Sequence, residues 1–184
     1  YIDGVSLLNY MKKGTIENIA FCVNKVVELM WYEIFVLGVF TSDPHPGNFI
    51  IREVDNKIIV VPLDFGQVGR LTKEGIENLK NLLHGLKHNN SDKIIRYLDL
   101  MGFKSKNSGN EIDKLKVRYV HCMFNDYMKE SVVAFSDLTK KIGWLNLPIE
   151  YMLVNKAFIT LGGLLSLCNF KDSLIDIFIM FFTP

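Results

Sequence analysis

The sequence lacks a charge excess and a long apolar run, and each absence excludes a class of protein. Its 184 residues include 21 Lys and Arg against 20 Asp and Glu, so the net charge is only +1. No nucleic-acid partner is expected, because neutralising phosphates takes clustered basic residues. The longest stretch without a charged residue, 157–170, is shorter than the ~20 residues of a membrane-spanning helix. A transmembrane helix is therefore not predicted.

Cysteine is also scarce. The three cysteines, Cys22, Cys122 and Cys168, are odd in number, far apart and set among apolar residues. This pattern predicts buried free thiols rather than disulfides or a zinc site, as is typical of a reducing compartment.

What is present is a globular balance of 49% hydrophobic and 22% charged residues. Apolar residues recur at three- and four-residue steps over 16–35, which predicts a long amphipathic helix between an N-cap at Thr15 and a stop at Gly38. A loop over 41–48 follows, and then a β-hairpin of strands 49–52 and 57–63.

The rest of the chain is predicted to be helical. The expected N-caps are Thr72, Ser91 and Asn110, an expected C-terminal glycine is Gly102, and a last long helix should run from Pro148 toward residue 167. We therefore expect an α+β fold, mainly α, in one compact domain.

Two polar segments bracket the predicted hairpin. Asp-Pro-His-Pro-Gly-Asn occupies positions 43–48 before it, and Asp-Phe-Gly occupies 64–66 after it. Protein kinases place a catalytic-loop Asp five positions before a metal-binding Asn and carry Asp-Phe-Gly after a short hairpin. Asp43, Asn48 and Asp64 match that order and spacing, whereas either segment alone is a common turn. His45 stands where eukaryotic-type kinases carry a lysine, and either contacts a phosphate or braces the loop.

The motifs are specific enough to indicate a family. The string T-S-D-P-H-P-G-N-F, followed by V-P-L-D-F-G-Q-V-G-R-L, resembles the UbiB-type, or ADCK-like, family of atypical kinases. The opening Y-I-D-G is similar to the hinge between that family's two lobes, and the stretch 147–163 is similar to its C-terminal helices.

The resemblance implies a kinase-like C-terminal lobe over residues 1–184 that binds ATP and Mg²⁺. It implies Asp43 as the catalytic-loop Asp, Asn48 and Asp64 as Mg²⁺ ligands, and Tyr1 and Ile2 beside the adenine. It further implies support of ubiquinone or related isoprenoid-lipid metabolism at a mitochondrial, plastid or bacterial membrane. The partners to expect are then the nucleotide, a membrane surface or isoprenoid lipids, and lipid-biosynthesis proteins.

Two departures qualify this resemblance. Many members carry His-Ala before the catalytic Asp, where this chain has Thr41-Ser42, so the packing of the loop is in question. The family's nucleotide-covering loop, phosphate-binding Lys and Lys-x-Gly-Gln motif would precede Tyr1, and no signal or transit segment opens the chain. We therefore expect that the chain needs its own N-terminal lobe and has no useful turnover alone.

Other interpretations stay open at this stage. An aminoglycoside- or choline-kinase-like phosphotransferase also has an Asp-x-His-x-x-Asn loop, and a pseudokinase scaffold would bind nucleotide only to change shape. Asp3 contacts the ribose or caps the following helix. His84 and His88 have metal-ligand spacing on a predicted helix, but no third ligand follows, which favours a solvated surface.

Overall fold

The computed structural model describes residues 3–55, 57–125, 129–142, 145–168 and 174–181. These ranges contain seven short strands and eight α-helices. The strands are β1 (Val5–Ser6), β2 (Val39–Thr41), β3 (Phe49–Val54), β4 (Lys57–Pro62), β5 (Val68–Arg70), β6 (Lys104–Ser105) and β7 (Leu145–Asn146). The helices are α1 (Leu7–Tyr10), α2 (Ile16–Tyr32), α3 (Lys73–Lys87), α4 (Ser91–Leu100), α5 (Asn110–Asn125), α6 (Lys129–Ile142), α7 (Ile149–Leu167) and α8 (Leu174–Met180). This mainly helical content with small antiparallel sheets agrees with the α+β prediction.

The long N-terminal helix has the predicted limits. Thr15 is extended and its hydroxyl accepts from the amide of Asn18 at 3.2 Å, which caps α2. The helix then widens into a π-helical turn, Glu33–Leu37, which the apolar period did not reveal. Gly38 ends it in the left-handed conformation, with φ 65°. A Cβ at this glycine would lie 2.9 Å from the carbonyl oxygen of Leu71, so both conformation and space favour glycine.

The π-helical turn carries a buried carboxylate. Glu33 is 6% exposed, and its Oε2 accepts from the backbone amide of Thr41 at 2.9 Å. Burial raises the pKa of Glu33, and the Thr41 amide offsets part of that rise. The contact joins the end of the long helix to the last residue of β2, immediately before the Asp43 loop.

Two antiparallel ladders hold the polar segments between them. In the inner ladder β3 pairs with β4, with Phe49 opposite Pro62 and Val54 opposite Lys57. In the outer ladder β2 pairs with β5, and Thr41 lies opposite Val68. The predicted hairpin is therefore confirmed, but it extends beyond residue 52. The predicted loop over 41–48 is shorter at both ends, because Thr41 belongs to β2 and Pro46–Asn48 form a 3-10 turn.

Two of the predicted N-caps are instead the first residues of their helices, Ser91 in α4 and Asn110 in α5. The N-cap of α4 is Asn90 rather than Ser91, because Asn90 is extended and its side chain accepts from the amide of Lys93 at 2.9 Å. Thr72 caps α3 as predicted, and Gly102 follows α4 with φ 83°. Helix α7 follows Pro148 and runs through the predicted range.

The core lies between the long helix and the C-terminal helices. The aromatic rings of Phe35, Phe124 and Phe158 are buried, and Phe158 packs 4.9 Å from Phe124 and 5.2 Å from Phe178 between ring centroids. Cys22 and Cys122 are buried and Cys168 is partly buried, and these three cysteines form no disulfide, as predicted. Among the described residues, no helix is both long and apolar enough to span a bilayer.

Replacing Glu33 should separate its role as an acceptor from the cost of its charge. Glu33→Ala leaves the buried Thr41 amide without its partner, so we expect a loss of about 1–3 kcal/mol in the free energy of unfolding. Glu33→Gln retains an acceptor oxygen and should lose less. Urea unfolding of both variants and the wild type measures this difference.

The pH dependence provides the control. The raised pKa of Glu33 in the fold means that the wild type binds this proton more tightly when folded, so this contribution to stability is lost as pH rises above the ordinary value of 4.5. Glu33→Gln has no such proton, so its stability relative to wild type should improve from about pH 4 to about pH 8. A constant difference across that range would contradict a buried carboxylate.

Candidate functional site

The loop over 43–48 is closed by its own side chains. The side-chain amide of Asn48 donates to the backbone carbonyl of Asp43 at 3.1 Å. The backbone amide of Asn48 donates to the backbone carbonyl of His45 at 2.8 Å. The first bond uses the nitrogen of the Asn48 carboxamide, so the oxygen, which is the metal-ligating atom, is not consumed by it. The loop therefore brings Asp43 and Asn48 together, as their spacing predicted.

His45 braces this loop. Its Nδ1 accepts from the backbone amide of Gly47 at 3.0 Å while the side chain is exposed. This ring nitrogen is engaged with the local backbone, which supports the bracing interpretation over a direct phosphate contact through Nδ1. Gly47 also has a spatial reason to be glycine, since a Cβ there would lie 3.0 Å from the same His45 nitrogen.

The second polar segment lies beside the first because of the hairpin register. The amide of Leu63 donates to the carbonyl of Asn48 at 2.8 Å, which extends the inner ladder by one step beyond the Phe49–Pro62 pair. Asp64 is the next residue, so the side chains of Asn48 and Asp64 leave the same end of one hairpin. Asp64 Oδ1 accepts from the amide of Gly66 at 2.7 Å, and the carboxylate is exposed.

These oxygen donors fit a magnesium ion. Mg²⁺ is usually held by one or two carboxylates together with substrate phosphates and water, so a complete protein cage is not required. The described residues contain no group of three or more His, Cys, Asp or Glu that would hold a metal by themselves. Asn48 and Asp64 would thus hold the ion only jointly with the nucleotide.

The departure at Thr41-Ser42 is accommodated by hydrogen bonds. Both residues are buried, at 4% and 0% exposure. Ser42 continues the outer ladder, since its amide donates to the carbonyl of Gln67 at 3.0 Å, and its hydroxyl donates to Gln67 Oε1 at 2.8 Å. The two small polar residues therefore tie the start of the Asp43 loop to the segment that follows Asp64.

A lysine from α7 completes this cluster, and no sequence motif indicated it. Lys156 Nζ donates to Gln67 Oε1 at 2.5 Å and lies 3.4 Å from Asp43 Oδ2. The lysine is 113 positions from Asp43, and no local spacing links them. Gln67 was also missed as a site residue, although its position three residues after Asp64 was a usable signal.

The predicted nucleotide-binding residues at the start of the chain are Tyr1, Ile2 and Asp3. Asp3 is exposed, and the cap of the short helix α1 is Ser6, whose hydroxyl accepts from Asn9 at 3.4 Å. The capping role left open for Asp3 is therefore wrong. Tyr1 and Ile2, the predicted adenine neighbours, lie outside the described residues, so their placement stays a prediction.

The histidine pair at the C-terminal end of α3 lies close to a lysine. The rings of His84 and His88 are 4.4 Å apart between centroids, and Lys93 Nζ is 3.2 Å from His84 Nδ1. Desolvation first, and then the charge of Lys93, lower the pKa of His84. A neighbouring ammonium repels a metal cation, which agrees with a solvated surface.

Comparison with known proteins decides the family. The model of the ABC1 atypical kinase-like domain matches residues 1–98, just over half of the chain, and includes both polar segments. The chain belongs to the ABC1 atypical kinase-like family. Its membership accounts for the order of the Asp43 and Asp64 segments and confirms the predicted UbiB/ADCK resemblance.

Three relatives illustrate the similarity to ABC1 kinase-like proteins. AarF domain-containing kinase 1 of Drosophila melanogaster is 34% identical over 85 residues, 45% of this chain and 16% of the relative. The probable protein kinase UbiB of Shewanella halifaxensis is 35% identical over 77 residues, 40% of this chain and 14% of the relative. Protein ACTIVITY OF BC1 COMPLEX KINASE 8, chloroplastic, of Arabidopsis thaliana is 30% identical over 76 residues, 41% of this chain and 10% of the relative. The chain spans less than a third of the length of the relatives it matches.

The bracing role of His45 can be tested without any activity. His45→Ala removes the acceptor for the Gly47 amide, so we expect that amide to exchange with solvent about tenfold faster, the equivalent of about 1.4 kcal/mol. His45→Asn retains a side-chain acceptor that commonly bonds a backbone amide two residues on, and should preserve most of the protection. Hydrogen exchange at Gly47 measured by NMR distinguishes the two variants. Equal exchange rates at Gly47 in His45→Ala and the wild type would show that His45 does not brace the loop.

Proposed function

We propose that the protein is a Mg-ATP-dependent atypical kinase or ATPase of the UbiB type, and that this chain supplies the base and the metal ligands. The observation that carries the proposal is the hairpin register, which sets Asn48 and Asp64 at one end of β3 and β4, with Asp43 bonded to Asn48. Carboxylate and amide oxygens on neighbouring turns are the donors that phosphoryl transfer requires for its metal.

Each residue has a distinct task in this proposal. Asn48 and Asp64 would hold Mg²⁺, which would neutralise charge on the phosphates. Asp43 receives the proton of the attacking hydroxyl or water as its oxygen bonds to the terminal phosphorus of ATP, while the bond from that phosphorus to the bridging oxygen breaks and ADP departs with the electron pair. Asp43 is assigned to the nucleophile because it occupies the catalytic-loop Asp position of the kinase pattern. Tyr1, Ile2 and Asp3 would border the adenosine.

The cellular setting is a further part of the proposal. Family membership supports a role in ubiquinone or related isoprenoid-lipid metabolism, at the surface of a mitochondrial, plastid or bacterial membrane. The Arabidopsis relative is named as chloroplastic and the Shewanella relative as UbiB, which supports an organellar or bacterial membrane setting. The nucleotide, isoprenoid lipids and lipid-biosynthesis proteins are then the partners, and the family's N-terminal lobe completes the nucleotide pocket.

Asp64→Asn in the full-length protein should weaken the metal site. Removing the formal charge from a divalent-ion ligand is expected to lower Mg-nucleotide affinity by about tenfold, or about 1.4 kcal/mol. Calorimetric titration with ADP in the presence and absence of Mg²⁺ measures the effect, and Asp92→Asn on the exposed start of α4 is the matched control. Unchanged Mg²⁺-dependent affinity would take Asp64 out of the site.

Asp43→Asn should instead act on turnover. Loss of a positioned base is expected to lower kcat by about 10²–10⁴-fold with little change in nucleotide affinity. Steady-state turnover and equilibrium binding on the same preparation separate the two quantities. Parallel losses in both would make Asp43 a structural residue or a metal ligand, and a wild type that binds Mg-nucleotide without any turnover would favour the nucleotide-switched scaffold.

A further inference from the structure

Lys156 is held at the site by a helix that is itself firmly packed. Its neighbours Ala157 and Phe158 are fully buried, and Val154, half a turn earlier, is 3% exposed. The adjacent Asn155 donates from its side-chain amide to the hydroxyl of Tyr119 on α5 at 2.8 Å. The backbone that carries Lys156 is therefore fixed by the core, and its side chain extends from a rigid support.

The ammonium of Lys156 reaches both polar loops at once. Nζ lies 3.4 Å from Asp43 Oδ2 in the first loop and 2.5 Å from Gln67 Oε1 beyond the second. The same Gln67 oxygen accepts from the hydroxyl of the fully buried Ser42. The ammonium of Lys156 thus connects Asp43, the proposed general base, to Gln67, which in turn is bonded to Ser42 at the end of the outer ladder.

This contact contributes little to stability. The side chains of Lys156 and Asp43 are 44% and 45% exposed, and exposed ion pairs contribute only about 0–1 kcal/mol. Lys25 and Glu28 on α2 form a pair of matching exposure, 45% and 43%, but they are neighbours on one helix turn. The Lys156–Asp43 pair differs from the Lys25–Glu28 pair in its location at the candidate site rather than in its strength.

The position matters because the loops hold no cation of their own. Neither 42–48 nor 63–67 contains a Lys or an Arg. His45, at the position where eukaryotic-type kinases carry lysine, uses Nδ1 to brace Gly47. A carboxylate on a loop has rotational freedom, and phosphoryl transfer depends on the alignment of the groups around the nucleophile.

We propose that Lys156 is a positioning residue, which orients the Asp43 carboxylate for the nucleophile and couples it, through Gln67, to the loop that carries Asp64. The inference rests on the proposed function and adds a residue from α7 to its machinery. With Oδ2 bound to the ammonium, Oδ1 of Asp43 is left to receive the proton of the attacking hydroxyl or water.

The experiment compares three single variants of the full-length protein. Lys156→Gln should lower kcat by about 10–100-fold, because misplacing a catalytic group by about 1 Å can cost a loss of this size. The Mg-ADP dissociation constant should change less than about threefold. Lys156→Arg keeps the cation and should recover most of the turnover. Lys25→Gln, the control of matched exposure, should behave as wild type. Urea midpoints should be the same for all three.

Three other outcomes would overturn either this inference or the proposed function. Lys156→Gln with wild-type kcat would overturn this inference and leave the proposed function standing. A fall in kcat that accompanies a lower urea midpoint and is not restored by Lys156→Arg would make Lys156 a structural brace, which also overturns it. A wild type with neither Mg-dependent nucleotide binding nor turnover would overturn the proposed function itself, and the inference with it.

Discussion

The arrangement of the candidate site depends on two nested antiparallel ladders. The chain leaves the outer ladder at Thr41, passes through the Asp43 loop, runs out and back through β3 and β4, and re-enters the outer ladder at Val68. The bonds from Leu63 to Asn48 and from Ser42 to Gln67 extend each ladder toward the other. Backbone hydrogen bonds therefore hold both polar loops at the ends of the ladders, and the loops lie side by side.

A polar contact of Glu33 attaches the ladders to the long N-terminal helix. Glu33 lies in the π-helical turn that ends the long N-terminal helix, and its carboxylate binds the amide of Thr41 at the last step of β2. A π-helical turn inserts an extra residue into the helical repeat and so changes the direction of the side chains that follow. Burying a carboxylate carries a desolvation cost, and hydrogen bonding to Thr41 offsets part of it. The Glu33–Thr41 hydrogen bond therefore fixes the start of the Asp43 loop relative to the long helix.

The same core places Lys156 over the loops. Helix α7 carries an almost continuous apolar surface, with Ala157, Phe158 and Leu161 fully buried, so its rotation about its own axis is set by packing. Lys156 lies on the exposed side of the helix, and its ammonium contacts Asp43 and Gln67. The chemistry of the loops and the stability of the helical core are thus carried by different faces of one helix.

Local sequence determined the long N-terminal helix, the β3–β4 hairpin and the candidate metal-binding motif. Thr15, Gly38 and Thr72 act through bonds or backbone angles within a few residues, so their roles followed from spacing alone, and so did the order of Asp43, Asn48 and Asp64. Asn90 displaced Ser91 as a cap because adjacent polar residues compete for one position, which spacing does not resolve. The contacts of Lys156, Gln67 and Glu33 were beyond prediction, since their partners are set by the rotation of α7, the register of β2 against β5 and the extra residue of the π-helical turn. Those three quantities depend on how the apolar faces pack together, and only the tertiary structure decides them.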